Sequence, residues 1–429
     1  MIKRLFLSVT LMLAVAVTFG QELSKEELKA QKRQKKALMS LIGDAEKAIL
    51  DNPAGAIDAL RPALEGDQSS LVANETYLWY VLANAKLGVM NQELLKAQEG
   101  QSYDEKKVYL YCHDLFKHLA LCDSLDNVPD EKGRVKPQYS DQIKKMLLDN
   151  WSHLFNGGAY FYNAGDYKNA YNLFDMFVVS AKFPRLAEFD LMNAPGMIEN
   201  IRLAALYSVN SATEAEDFSA ALKHIDLAVQ DSANAMNAYQ LKAQAQSQLG
   251  DTEAWINTLK ECSQMFPNNP YFYQNLIQYY DSNNKRNEMI AFADEMIAKD
   301  PRNVFFLYVK GYMAAQEQNW DKAIEEYKKA LEVDPNYESA ILNLSICYLQ
   351  KAQEYRNSEA STKVTDKAKI AKDKEILDGY YRAALPLCEK MRQLYPDDSS
   401  KWSYGLAQCY SFLGMEKEFN EIEKYLPKD

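Results

Sequence analysis

Histidine is scarce in this chain. Four stand in 429 residues, at His113, His118, His153 and His224. His113 and His118 are five positions apart, which does not put both on one helical face as a zinc pair needs. The six cysteines, at 112, 122, 262, 347, 388 and 409, include no CxxC pair. No GxxxxGK follows a glycine turn, and Gly157-Gly158 has no phosphate-loop context. No nucleophile elbow or Ser/His/Asp set can be nominated. The expectation is therefore no catalytic residue, no metal and no cofactor. Basic residues are also in deficit: 49 Lys and Arg face 60 Asp and Glu, a net charge of −11. That balance argues against a nucleic-acid partner, which calls for a basic face. Sixteen Gly and 13 Pro are too few for a low-complexity chain, and 47% hydrophobic content suffices for a continuous core.

Long apolar runs are absent apart from one. Lys3 and Arg4 precede Leu5–Phe19, which is broken only by Ser8, Thr10 and Thr18, and Gly20 and Gln21 follow. A short basic segment, an apolar stretch and a small residue at its end read as a secretory signal peptide over 1–20. The stretch is short for a spanning helix. Cleavage after Gly20 is expected, leaving a mature chain without a transmembrane segment. Localisation follows: exported and periplasmic, with a secreted or envelope-associated form as the alternative. No cysteine follows the run, so a lipoprotein acylation site is missing. Export permits disulfides, yet each cysteine lies within a helical pattern, which favours buried free thiols. Cys347, Cys388 and Cys409 fall on neighbouring helices, so one pair could meet.

What is present is a period. Pro267, Pro301 and Pro335 stand 34 residues apart. They close the phrases Cys262-Ser-Gln-Met-Phe-Pro267, Met296-Ile-Ala-Lys-Asp-Pro301 and Ala330-Leu-Glu-Val-Asp-Pro335. A fixed period of this length marks stacked helical pairs, each too small to bury its own core. Proline disfavours helix in the residue before it and so ends the second helix of each pair.

The phrase Leu307-Tyr-Val-Lys-Gly311-Tyr-Met-Ala314, followed by Trp320-Asp-Lys-Ala323-Ile-Glu-Glu-Tyr327-Lys-Lys-Ala330, resembles the tetratricopeptide repeat. Gly311, Ala323 and Ala330 take the small sites and Tyr327 the large aromatic site. Helices approach closely only where side chains are small, and large ones fill the flanking holes. The pattern repeats with drift over 236–269 and 270–303. It recurs upstream over 151–184, with Gly158, Phe174 and the turn Gly165-Asp166-Tyr167. Residues 198–229 supply another pair, with Ala221, Ile225 and Ala228 on the second helix and a polar loop over Ser211–Asp217. After Pro335 the next small site falls at Ala384 instead of near 357, which marks an insert at about 357–377, rich in Lys, Ala, Asp and Glu. Its composition suggests little contribution to the core.

The resemblance implies an all-α fold, a right-handed helical-repeat superhelix. Its organisation is a degenerate helical region over 21–148, with Asp123–Asp141 as the best internal boundary, and a solenoid over 149–429. Ser24-Lys-Glu-Glu27 reads as a capping box opening the first mature helix, and Ala56–Leu64 as a helix that Pro62 should interrupt. The family's concave-face positions fall on Gln240, Gln244, Tyr271, Gln274, Gln278, Asp281, Phe305, Tyr308 and Tyr312. The next helix places Leu342 and Ile346 there, which read as packing residues. The family's carboxylate-gripping positions hold Gln240, Gln244, Asn275, Phe305 and Val309, so that clamp is missing. The implied function is a non-catalytic scaffold of the bacterial cell envelope, similar to exported tetratricopeptide proteins, binding a protein or peptide along the concave surface. A carbohydrate or small-ligand binder using surface aromatics is the alternative.

Overall fold

The computed structural model describes residues 24–358 and 366–426, and every regular element among them is helical. The all-α helical-repeat class expected from the 34-residue period is the class observed. The proposed leader over 1–20 lies outside the described residues. No described helix is long and apolar enough to cross a membrane. Two compact units divide the chain, one ending at Phe272 and the other beginning at Tyr273.

The first unit opens with α1 (Lys25–Ala48). Ser24 Oγ accepts the Glu27 N–H, and the Glu27 carboxylate accepts the Ser24 N–H at 2.7 Å, so the capping box is complete. Helices α2 (Pro53–Ala59) and α3 (Arg61–Glu65) follow, split at Leu60. Pro62 therefore sits in the first turn of α3, where its missing N–H costs nothing. Next come α4 (Thr76–Gln98) and α5 (Glu105–Asp126), packed side by side, then α6 (Ser140–Asn163) and α7 (Tyr167–Ser180). The 148/149 division drawn from sequence falls inside α6. The connection before α6 is pinned: the Asp126 carboxylate accepts the backbone N–H groups of Gln138 and Tyr139 at 2.8 Å.

Helix α8 (Met197–Glu214) corrects the expected polar loop at 211–217. Ser211 and Thr213 are buried within the helix, and Thr213 donates its hydroxyl to the Val209 carbonyl at 2.9 Å. A hydroxyl bonded to its own helix can be buried cheaply, as Thr213 is, so a polar run misleads there, although the buried Ser211 hydroxyl makes no such bond. The helix expected opposite is broken into α9 (Phe218–Ala221), one 3₁₀ turn and α10 (Ile225–Ala228), although Ala221, Ile225 and Ala228 are buried as anticipated. Helices α11 (Ala235–Gln248) and α12 (Thr252–Met265) form the next pair. The unit boundary falls within α13 (Pro270–Ser282).

The second unit continues with α14 (Arg286–Lys299), α15 (Val304–Gln316), α16 (Trp320–Val333) and α17 (Glu338–Asn357). Helices α18 (Lys367–Leu394), α19 (Ser403–Leu413) and α20 (Glu416–Ile422) complete it. The segment 357–377 is not outside the core throughout. Residues 367–377 are the first turns of α18, and Leu377 is buried with Ala352, Tyr381, Ala384 and Cys409. Leu377, Tyr381, Ala384 and Cys388 share one helical face, a stripe that the charged composition around Leu377 hides.

One turn recurs within the pairs. A residue with left-handed backbone is followed by the residue that opens the next helix. Gly165 and Gly250 hold this position, but so do Glu216 (φ 58), Asn284 (φ 54) and Gln318 (φ 58). The next N–H reaches back five residues to close a helix cap: Asp166 to the Phe161 carbonyl at 2.9 Å, Lys285 to Tyr280 at 2.8 Å and Asn319 to Ala314 at 2.9 Å. The side chains of Asp166, Asp217, Asp251 and Asn319 then accept the N–H three residues on, which caps the second helix.

Interhelical approach follows the small-to-large rule. A Cβ at Gly158 would stand 2.7 Å from the Phe174 ring, and one at Gly311 would stand 2.6 Å from the Tyr327 ring. Both rings are buried. Trp151 stacks on Phe177 at 4.3 Å and donates its indole N–H to Ser180 Oγ at 2.9 Å.

Candidate partner-binding surface

The sequence-derived positions divide between the two units. In the first, Gln240 and Gln244 stand one turn apart on α11, half-buried and exposed, beside a face that buries Leu241 and Ala245. Tyr271 is half-buried at the start of α13. Its N–H donates to Asn269 Oδ1 at 3.0 Å and its ring meets the Phe272 ring edge-on.

The second unit carries the other five residues on α13 and α15. Gln274 and Gln278 are exposed on α13, one turn apart. Phe305, Tyr308 and Tyr312 follow one side of α15 at three- and four-residue spacing, and all are half-buried. The Phe305 ring lies 5.0 Å from Tyr273 and meets Phe306 edge-on at 5.2 Å. Tyr312 donates its hydroxyl to the exposed Asp281 carboxylate at 3.3 Å, which ties α15 to α13. Burial and the facing carboxylate push the Tyr312 hydroxyl pKa up. Tyr308 is held more firmly. Its ring meets Tyr337 edge-on at 5.6 Å, lies 5.7 Å from Tyr327 and stacks beside Tyr312 at 6.4 Å. Asn343 Nδ2 donates to its hydroxyl at 3.5 Å, which ties α15 to α17.

Sequence register missed Asn343 and Tyr337 as members of this cluster. A signal was available: Asn343 lies one 34-residue repeat beyond Val309, between the positions assigned to Leu342 and Ile346. Those two also differ from expectation. Leu342 is half-buried, whereas Ile346 is 40% exposed. Of the family's carboxylate-gripping positions, Val309 is buried and Asn275 half-buried. On this face the polar atoms are amides and hydroxyls, with Asp281 as the named charge.

The scarce histidines and the cysteines take structural places. His118 is stacked on Trp79 at 5.8 Å, and burial pushes its pKa down to about 4. His224 Nε2 lies 2.7 Å from Asp175 Oδ1. All six cysteines are buried free thiols.

Two family descriptions match the chain. "Tetratricopeptide repeat" covers residues 237–269, and "TPR repeat" covers 311–351. No curated protein matches in a sequence search. Among solved structures, the C-terminal part of a repeat protein from Cytophaga hutchinsonii is similar at 13% identity and a TM-score of 0.39, over 63% of this chain and 93% of that one. A repeat protein from Bacteroides fragilis is similar at 16% identity and a TM-score of 0.31, over 64% and 99%. Yeast Tom70 is similar at 12% identity and a TM-score of 0.32, over 90% of each chain. At these scores the assignment rests on the matched segments and on their packing. The second segment begins at Gly311, the residue whose missing side chain admits Tyr327. The chain carries tetratricopeptide repeats over residues 237–269 and 311–351.

Proposed function

We propose that this protein is a non-catalytic scaffold of the bacterial cell envelope, and that its second unit binds a peptide segment of a protein partner across α13, α15 and α17. Tetratricopeptide repeats are protein-interaction modules, which supports the scaffold. The observation that carries the binding face is the row Phe305, Tyr308 and Tyr312, partly exposed beside exposed Gln274, Gln278 and Ile346. Aromatic rings offer large contact area at low entropic cost, and glutamine amides both donate and accept. Such a face suits the polar backbone of an extended segment, or one side of a helix, with weak charge selection. Gln240, Gln244 and Tyr271 supply comparable groups on the first unit. Lys3-Arg4 and Leu5–Phe19 support the envelope address. A saccharide partner has less support, because Phe305, Tyr308 and Tyr312 run in a row along α15 instead of converging on one pocket.

The test begins with recovery of partners by affinity purification of the mature protein from its native envelope. Tyr312→Ala should weaken binding of the recovered partner by tenfold or more, since buried aromatic anchors dominate interface energy. Gln278→Ala should weaken it less, and salt should have little effect. A folded Phe305→Ala, Tyr312→Ala double variant with unchanged affinity would remove this face from the account. N-terminal sequencing of the native protein tests the address: a chain beginning at Gln21 is expected, and an intact Met1 in the cytosol refutes it.

A further inference from the structure

We infer that Cys388 and Cys409 form an interhelical disulfide when the chain folds in the presence of a small-molecule disulfide. Cys388 lies on α18 and Cys409 on α19, and both are buried in the second unit. Cys388 Sγ packs against the α19 backbone one turn from Cys409, and the two thiols are close enough to shift each other's ionisation. The backbone explains how they meet. Gly405 lies one turn before Cys409, on the same face of α19. A Cβ at 405 would stand 2.7 Å from Cys388 Sγ, so the glycine leaves the space that this sulfur enters. Cys347, the third cysteine of the unit, is placed differently. It is buried on α17 in the cluster that holds Tyr327, and burial alone pushes its thiol up to about 12.

The two thiols are not equivalent. The nearby Cys409 thiol holds the Cys388 thiol below its ordinary range, whereas the same proximity and burial push Cys409 up. That difference holds only in the closed interface; in the open chain either thiolate can react first, and the exchange is the same from either sulfur, taking Cys388 as the example. Its thiolate attacks one sulfur of a small disulfide RSSR, breaking the S–S bond and releasing one RS⁻. The mixed disulfide at Cys388 is then attacked by Cys409, which loses its proton and expels the second RS⁻. The pair gives up two electrons and two protons, and RSSR becomes two RSH. Burial of both sulfurs means that the exchange occurs during folding, before α18 and α19 close on each other. Once closed, the same burial shields the bond from reductants.

The experiment refolds the full chain in oxidised and reduced glutathione, alkylates free thiols, and maps a non-reducing digest by mass spectrometry. One cross-link, between the peptides carrying Cys388 and Cys409, is expected, and the free thiol count should fall from six to four. Oxidised protein should melt about 5 °C above the reduced form, because the bond limits the unfolded chain. Cys388→Ser should leave five free thiols and no cross-link under the same conditions. Six alkylated thiols in folded parent protein, or a cross-link through Cys347, would overturn the assignment. The parent map decides even if the serine variant folds poorly.

Discussion

Two glycines in the second unit make opposite predictions for the same substitution. Gly311 lies within α15 and Gly379 within α18. Replacing either by alanine gains about 1 kcal/mol of helix propensity. At Gly379 nothing lies within 4 Å of the added carbon, so that gain should appear unopposed. At Gly311 the carbon would stand 2.6 Å from two atoms of the Tyr327 ring, short of ordinary contact by about 0.8 Å. The ring is fully buried and packs with Ala323, Ala330 and Cys347, so it has little room to retreat. Overpacking of this kind costs about 1–3 kcal/mol. Because propensity cancels between the two variants, their difference isolates the steric cost, about 2 kcal/mol with Gly379→Ala the more stable. Urea unfolding followed by far-ultraviolet circular dichroism measures it. In a double-variant cycle, Tyr327→Leu should relieve most of the penalty at 311, with a coupling of about 1–2 kcal/mol. Equal stability of Gly311→Ala and Gly379→Ala would refute the claim that close approach at this glycine holds the pair together. The Gly158–Phe174 contact should behave as Gly311–Tyr327 does.

Three further outcomes follow from single contacts. Gln318 has left-handed backbone at φ 58, so Gln318→Gly should stabilise the second unit by about 1 kcal/mol in urea unfolding, and a loss would show that its side chain matters more than its backbone. Glu93 is held down to about 2 by the Asp104 N–H, then by Lys96 and Lys107. Its folded pKa lies below the ordinary 4.5, so its stabilisation is present above pH 4.5 and is lost as pH falls towards 2; thermal unfolding of Glu93→Gln should decline less over that window than the parent, and parallel curves would argue against the contact. Leu377→Ala should cost about 2–3 kcal/mol in the same urea assay, because it empties a packed site between α17 and α18, whereas a solvated Leu377 would cost almost nothing.

The repeats were legible where backbone chemistry forces particular residues. Proline after each second helix, small residues at close crossings and Gly-Asp at the 165–166 turn all announce themselves. The same turn at 216–217, 284–285 and 318–319 did not, because Glu216, Asn284 and Gln318 occupy the left-handed position without glycine. The surrounding cap hydrogen bonds compensate for that strain. Leu377 was hidden for a different reason. It stands beside Ile376 in a charged stretch, and only the packing of the helix shows that Leu377 is the one buried. On the binding face, register found the tyrosines but not what holds them, since Asp281 and Asn343 come from neighbouring repeats.

Those cross-repeat bonds bear on what the face can do. Tyr312–Asp281 and Tyr308–Asn343 tie three helices through groups that remain partly in water, so desolvation costs little. They restrict the tyrosine rotamers before any partner arrives, which lowers the entropy lost on binding. The two tyrosines differ in consequence. Tyr308 also packs on Tyr327 and Tyr337, inside the cluster that stabilises the unit. Truncating it removes core contacts together with surface, so lost binding there would not by itself identify a partner contact. Tyr312 makes fewer such contacts, and Tyr312→Phe keeps the ring while removing only the bond to Asp281. Comparison of Tyr312→Phe with Tyr312→Ala therefore separates preorganisation from direct contact. A partner that reads the ring itself tolerates phenylalanine and rejects alanine, whereas a partner that depends on the fixed geometry is weakened by both.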